Sequence, residues 1–158
     1  MADIDENFKK RPLKVKGQSP VTGEGGGEVM ATDVPISFWG GINQDDGTII
    51  DKYHPLKGES VKDKIFVLPK GKGSSTGSGV LLEMILSGCA PSGIILNEKD
   101  EIIILGGIVA SEAFLKEIPI VILNDDDFKT ALRSSYAKID RNGFATLTFE
   151  KGTDHERH

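Results

Sequence analysis

Two short runs in the middle of the chain are apolar without alternation. Residues 64–69, "KIFVLP", and Gly93–Leu96, "GIIL", have the unbroken hydrophobicity of strands buried on both faces. Between them Leu81, Leu82, Ile85 and Leu86 recur at helical spacing, and Gly88 with Pro91 supplies a stop. The pattern predicts a strand, helix, strand unit with parallel strands and a right-handed crossover. A looser copy follows, with a strand over 102–105, a short helix over 108–115 and a strand over 118–123, "IPIVIL". A further helix is expected over 128–134, behind Asp125, Asp126 and Asp127.

The flanking thirds favour strands. Leu13 and Val15 alternate with lysines as in an edge strand, and the glycine-rich stretch 17–27 reads as a loop or a ligand-facing turn. Residues 29–39 read as extended chain around Pro35, and Asp46-Gly47 marks a tight turn between strands. Near the end, residues 138–150 predict a hairpin turning at Asn142-Gly143. In it Phe144, Thr146 and Thr148 face opposite to Ala145, Leu147 and Phe149. The fold class expected is α/β, with one domain over residues 11–150 between polar tails at 1–10 and 151–158.

Composition narrows the partners. A net charge of -5 and a pI near 5.2 leave no basic footprint for nucleic acid. A single cysteine, Cys89, excludes an internal disulfide framework and points to a reducing compartment. No run approaches the length of a membrane span, so a soluble cytoplasmic protein without membrane contact is expected.

The chemistry-bearing segment is "LPKGKGSSTGSGVLLE", residues 68–83, where glycines and hydroxyls lie between a buried strand and a helix. Open α/β sheets bind ligands at that junction, and the helix N-terminus favours negative charge. The phosphate-loop motif is not matched, because Phe66 stands where its first glycine belongs and Gly73 follows Gly71-Lys72. The dinucleotide motif fails at Thr76, which occupies the third-glycine position. No histidine lies between His54 and His155 to serve as a nearby base, which argues against a hydrolase nucleophile at Ser74, Ser75 or Ser78. Two readings remain open: Ser75 or Thr76 simply caps the helix, or the loop holds an anion or a carboxylate.

Other residues attract simpler explanations. Trp39 lines a cleft or packs at a core or an interface. Phe38 and Trp39 together suggest an exposed apolar contact surface. His54, before Pro55, reads as a turn residue. The aspartates at 125–127 complement a helix dipole more readily than they bind a cation, and Cys89 reads as a small buried hydrophobe.

Five segments in order, "ISFWGGI" (36–42), "HPLKGES" (54–60), "GKGSSTGSGVLLE" (71–83), "APSGII" (90–95) and "IPIVIL" (118–123), resemble the small subunit, or swivel domain, of the aconitase X family. The similarity spans residues 13–149. The resemblance implies a β/β/α swivelling domain of the aconitase superfamily, with a central mixed sheet and flanking helices. It also implies a partner: a large catalytic aconitase X subunit that carries an iron-sulfur cluster, so that this chain holds no metal of its own.

In the wider superfamily a Gly-Ser-Ser-Arg loop supplies a serine base, which by position corresponds to Ser74. Lys72, Gly73, Ser75, Thr76, Gly77 and Ser78 would then contact the substrate, a small carboxylate or phosphate. Thr76 stands where that loop has arginine, which argues against citrate or isopropylmalate. The implied reaction is dehydration of cis-3-hydroxy-L-proline, with mevalonate 5-phosphate as the alternative substrate. From a different class, a non-enzymatic module binding a small anion remains in view.

Overall fold

A computed structural model describes residues 11–73 and 75–150. In chain order the elements are β1 (Leu13–Lys16), β2 (Gln18–Val21), β3 (Gly25–Ala31), a single distorted helical turn α1 (Phe38–Gly41), β4 (Ile65–Leu68), α2 (Gly77–Ser87), β5 (Gly93–Leu96), α3 (Glu101–Phe114), β6 (Ile120–Ile122), α4 (Asp125–Leu132), β7 (Tyr136–Ile139) and β8 (Phe144–Thr148). All described strands belong to one eight-stranded sheet in the order β1-β8-β7-β3-β4-β5-β6-β2.

Its centre is parallel, β3 to β6, and its flanks are antiparallel. The two edges are β1 and β2, which Gly17 alone separates in sequence. One nearly continuous strand therefore pairs with β8 through its first half and with β6 through its second, and the sheet curls almost into a barrel. At the crossing point a Cβ on Gly17 would lie 2.4 Å from the Ile122 carbonyl oxygen, so only glycine lets the strand pass. The Gly17 N–H donates to the Gly143 carbonyl at 3.0 Å, joining this bend to the β7–β8 turn.

Strands β4 and β5 are completely buried, as their unbroken apolar runs require. Alternate residues serve opposite clusters. Ile65, Val67, Ile95 and Val121 face Val15, Ala137, Ile139, Ala145, Leu147 and the α4 residues Phe128 and Ala131. Phe66, Leu68, Ile94, Leu96 and Ile120 instead face Leu81, Met84 and Ile85 of α2 and Ile103, Ile104 and Ala110 of α3. The first predicted strand, helix, strand unit is present as β4, α2 and parallel β5, and a second, β5, α3 and parallel β6, shares β5 with it in place of the separate strand expected over 102–105.

Several expectations are corrected. The stretch 17–27 is not a loop, because β2 pairs with β6 and Gly25 to Gly27 pair with β7. Those glycines mark close backbone approach: a Cβ on Gly25 would meet the Ser92 carbonyl oxygen at 2.1 Å and one on Gly27 the Asp63 oxygen at 2.5 Å. Strand β3 ends at Ala31, and beyond Pro35 the extended chain makes one parallel bridge, Ile36 to Gly71, before α1, while the Asp46-Gly47 turn carries only single bridges, Ile42 to Ile49 and Thr48 to Ser60.

The expected strand 102–105 and helix 108–115 are one helix, α3. Its Gly106-Gly107 pair is a seat and not a break. A Cβ on Gly106 would lie 2.9 Å from the Ser78 carbonyl oxygen in α2, and one on Gly107 2.9 Å from Ile120 Cδ1 in β6. The strand expected over 118–123 contracts to Ile120–Ile122, and α4 begins at Asp125, so the three aspartates form its first turn. The hairpin alternates as predicted, with Ala145 and Leu147 buried and Phe144, Thr146 and Thr148 half-buried. The tails expected at 1–10 and 151–158 lie outside the described residues.

Candidate functional site

The glycine-hydroxyl segment leaves the carboxyl end of β4 and enters α2, beside the carboxyl end of β5, which leads to α3. Two βα junctions thus lie side by side. Residues 71 and 72 are clamped first: Gly71 forms a parallel bridge with Ile36, and the Lys72 N–H donates to the Ile36 carbonyl at 3.1 Å. The Gly71 N–H donates to Asp100 Oδ2 at 2.8 Å. Gly73, at φ +90°, then turns the chain through a backbone region that suits glycine.

Asp100 is the N-cap of α3. Its Oδ1 accepts from the N–H groups of Ile102 and Ile103, each at 3.0 Å. One carboxylate therefore satisfies the start of α3 and holds the start of the neighbouring loop. The beginning of α2 is built differently. Thr76 occupies its N-cap position with no side-chain cap hydrogen bond, and its first turn has no acidic residue. The N–H groups of Gly79 and Val80 reach the Thr76 carbonyl at 3.1 and 3.2 Å, and Ser78 donates through Oγ to the Ser75 carbonyl at 3.0 Å.

Between these two helix starts is an open cleft of about 150 Å³ lined by Phe38, Gly71, Lys72, Gly73, Gly77, Asp100, Ile102 and Ile103. Lysine and aspartate thus share it with three apolar side chains. Of the expected site residues, Lys72, Gly73 and Gly77 line the cleft, the first two exposed and the last buried. Ser75 and Thr76 are exposed beside it, and Ser78 is half-buried. Ser74, the expected base, lies outside the described residues.

Sequence reasoning missed Phe38, Asp100, Ile102 and Ile103. The available signal was "DEIII", an aspartate and a glutamate opening an apolar run, which marks a helix start. A strand assigned to 102–105 concealed it.

Of the remaining candidates, His54, Cys89 and the aspartates at 125–127 take structural roles. Phe38 is buried at 3% exposure, its ring centroid 6.3 Å from that of Phe66, so it does not belong to an exposed contact surface. Trp39 is 58% exposed. His54 is buried: Nδ1 accepts from the Leu56 N–H at 3.0 Å, which leaves Nε2 to donate to the Val34 carbonyl at 3.1 Å. It pins two loop segments together as a neutral imidazole. In α4, Asn124 caps the helix by accepting from the Asp127 N–H, and Asp125 accepts from Asn97 Nδ2 at 3.0 Å.

Cys89 is buried, its thiol donating to the Gln44 carbonyl at 3.0 Å. It lies beyond the far end of α2, which at eleven residues spans roughly 16 Å. Among the described residues no three His, Cys, Asp or Glu side chains gather as a metal-ligand set. These residues therefore do not fit an iron-sulfur cluster.

Perturbed carboxyl groups lie away from the cleft. The Thr48 backbone N–H holds the Asp46 carboxyl below its ordinary value, and hydrogen bonds from Arg141 do the same for Glu117. That pair is bidentate, at 2.7 and 3.0 Å. Among the described residues no helix is long and apolar enough to cross a membrane.

A family profile described as the aconitase X swivel domain matches residues 14–147. The cis-3-hydroxy-L-proline dehydratase of Hypocrea jecorina is 40% identical over 137 residues, which are 87% of this chain and 23% of that protein. The chain thus spans about a quarter of that relative's length. A phosphomevalonate dehydratase small subunit from Thermococcus sibiricus is 36% identical over 106 residues, 67% of this chain and 82% of that one. Among solved structures, Thermococcus kodakaraensis aconitase X in its holo-form aligns with a TM-score of 0.75 and 31% identity, covering 85% of this chain and 98% of that chain.

Proposed function

Since the chain belongs to the aconitase X swivel-domain family, we propose that residues 11–150 form the swivel half of a hydro-lyase acting on cis-3-hydroxy-L-proline. The carrying observation is that similarity to a cis-3-hydroxy-L-proline dehydratase extends over 87% of this chain. Removing water requires a base for a carbon-bound proton and an exit for the hydroxyl group. This chain supplies the first. Ser74 is the base, and its oxyanion is stabilised by the dipole at the start of α2 and by loop amides once the cleft closes to water.

The cleft suits a small zwitterion. A substrate carboxylate is drawn to the start of α2 and to Lys72, while half-buried Ile102 offers apolar surface to a pyrrolidine ring. Gly73, Ser75, Thr76, Gly77 and Ser78 shape the carboxylate site. We assign the iron-sulfur cluster to a large partner subunit, in keeping with the described residues' lack of a ligand set, and no step here runs through it. The complex is placed in the cytoplasm, consistent with a lone buried thiol.

A second reading, phosphomevalonate dehydratase small subunit, is favoured by length, because the chain covers 82% of such a relative. The two separate experimentally. Large and small subunits are reconstituted without oxygen and offered cis-3-hydroxy-L-proline and mevalonate 5-phosphate in parallel. Turnover of the first is expected. Turnover of only the second overturns the substrate assignment. Absence of both, with an anion held by this chain alone, supports the non-enzymatic module.

A further inference from the structure

The loop expected to meet the substrate enters through Gly71 and Lys72, whose backbone groups are tied to the rest of the domain. Its entry is held by the Ile36 bridge and by the hydrogen bond from Gly71 to Asp100. The second tie is unusual in its economy. Asp100 Oδ2 takes the Gly71 N–H while Oδ1 takes those of Ile102 and Ile103, so both oxygens are engaged on two different segments. Fit at Gly71 is close as well, since a Cβ there would lie 2.9 Å from Oδ2 and 3.2 Å from Ile103 Cδ1. Any shift of the α3 start is therefore passed to the loop entry, three residues before Ser74.

We propose that Asp100 is the positioning residue of the loop, one carboxylate fixing Gly71 against the first turn of α3 and thereby setting where the following hydroxyls meet the substrate. A cap alone does not require aspartate, since asparagine and serine cap helices comparably well. The bond to Gly71 does: a carboxylate presents two acceptor oxygens, whereas an amide presents one acceptor and one donor. In Asp100→Asn the amide oxygen keeps the helix cap and the amide nitrogen faces the Gly71 N–H, donor against donor. The substitution thus separates capping from positioning.

The inference rests on the dehydratase reading, and its test keeps the two apart. Amide hydrogen exchange is measured on the full chain, wild type and Asp100→Asn, and turnover is measured on the reconstituted complexes. Expected for Asp100→Asn are faster exchange at Gly71 with unchanged exchange at Ile102 and Ile103, and a kcat lower by roughly a hundredfold with KM changed much less. Asp100→Ala, which loses the cap too, lowers Tm by roughly 3 °C in addition. Wild-type exchange at Gly71, or wild-type kcat per assembled complex in Asp100→Asn, overturns the proposal. If the wild-type complex turns over neither substrate, the dehydratase reading falls, and exchange at Gly71 still decides the role of Asp100.

Discussion

The two helix starts that face each other across the cleft follow from the same topology and are finished in opposite ways. Both α2 and α3 leave the carboxyl end of a buried parallel strand. At α3 the chain supplies its own anion: Asp100 accepts two first-turn N–H groups, and Glu101 follows in the first turn. At α2 it supplies glycines and hydroxyls, no side-chain cap and no acidic residue in the first turn. One helix dipole is answered from within, at a gain of typically 0.5–2 kcal/mol for such a cap. At the other the Thr76 side chain makes no cap hydrogen bond, and the proposed function gives that helix start the substrate carboxylate. Two copies of one supersecondary unit thus differ at the capping residue.

The comparison breaks most sharply at Ser74. In an assembled complex Ser74→Ala is expected to lower kcat by about 10²–10⁴ while sedimentation shows subunit association unchanged. A smaller loss comes from parting the two helices. Gly106→Ala places a Cβ 2.9 Å from the Ser78 carbonyl oxygen in α2. It should cost about 1–3 kcal/mol in chemical denaturation, partly offset by the better helix propensity of alanine.

Smallest is the control remote from the cleft, Glu117→Gln. The Glu117 carboxyl is held below its ordinary value by Arg141, so its contribution to stability is present above the unfolded pKa and is lost as pH falls through the folded one. The variant should flatten the acid limb of a Tm against pH curve slightly and leave turnover untouched. A large effect would mean that this exposed pair does more than exposed pairs usually do.

The sequence made the centre of the fold legible because burial on both faces leaves an unmistakable trace. β5 coincides with the run Gly93–Leu96 that announces it, and β4 lies within 64–69. Closure of the sheet was hidden, since it depends on Gly17 passing close to β6, and 17–27 read as a glycine-rich loop for the same reason. In α3 the β-branched run at 102–104 and the Gly106-Gly107 pair each imitate a strand and its end. Their actual causes are tertiary, a helix wedged between α2 and β6.

The candidate site was legible on its α2 side, where glycines, hydroxyls and Lys72 are contiguous. Its α3 side was not. Asp100, Ile102 and Ile103 reach the cleft only because two junctions distant in sequence are neighbours in the sheet.

The most direct test gives α2 the anion that α3 already owns. Initial rates with cis-3-hydroxy-L-proline are compared for reconstituted complexes carrying Thr76→Asp and, at the equivalent region of α3, Glu101→Gln. If the start of α2 receives the substrate carboxylate, Thr76→Asp raises KM by roughly tenfold or more through like-charge repulsion, and Glu101→Gln leaves it within about twofold. Equal KM values in both variants and the wild type would contradict the assignment of that helix start as the substrate site.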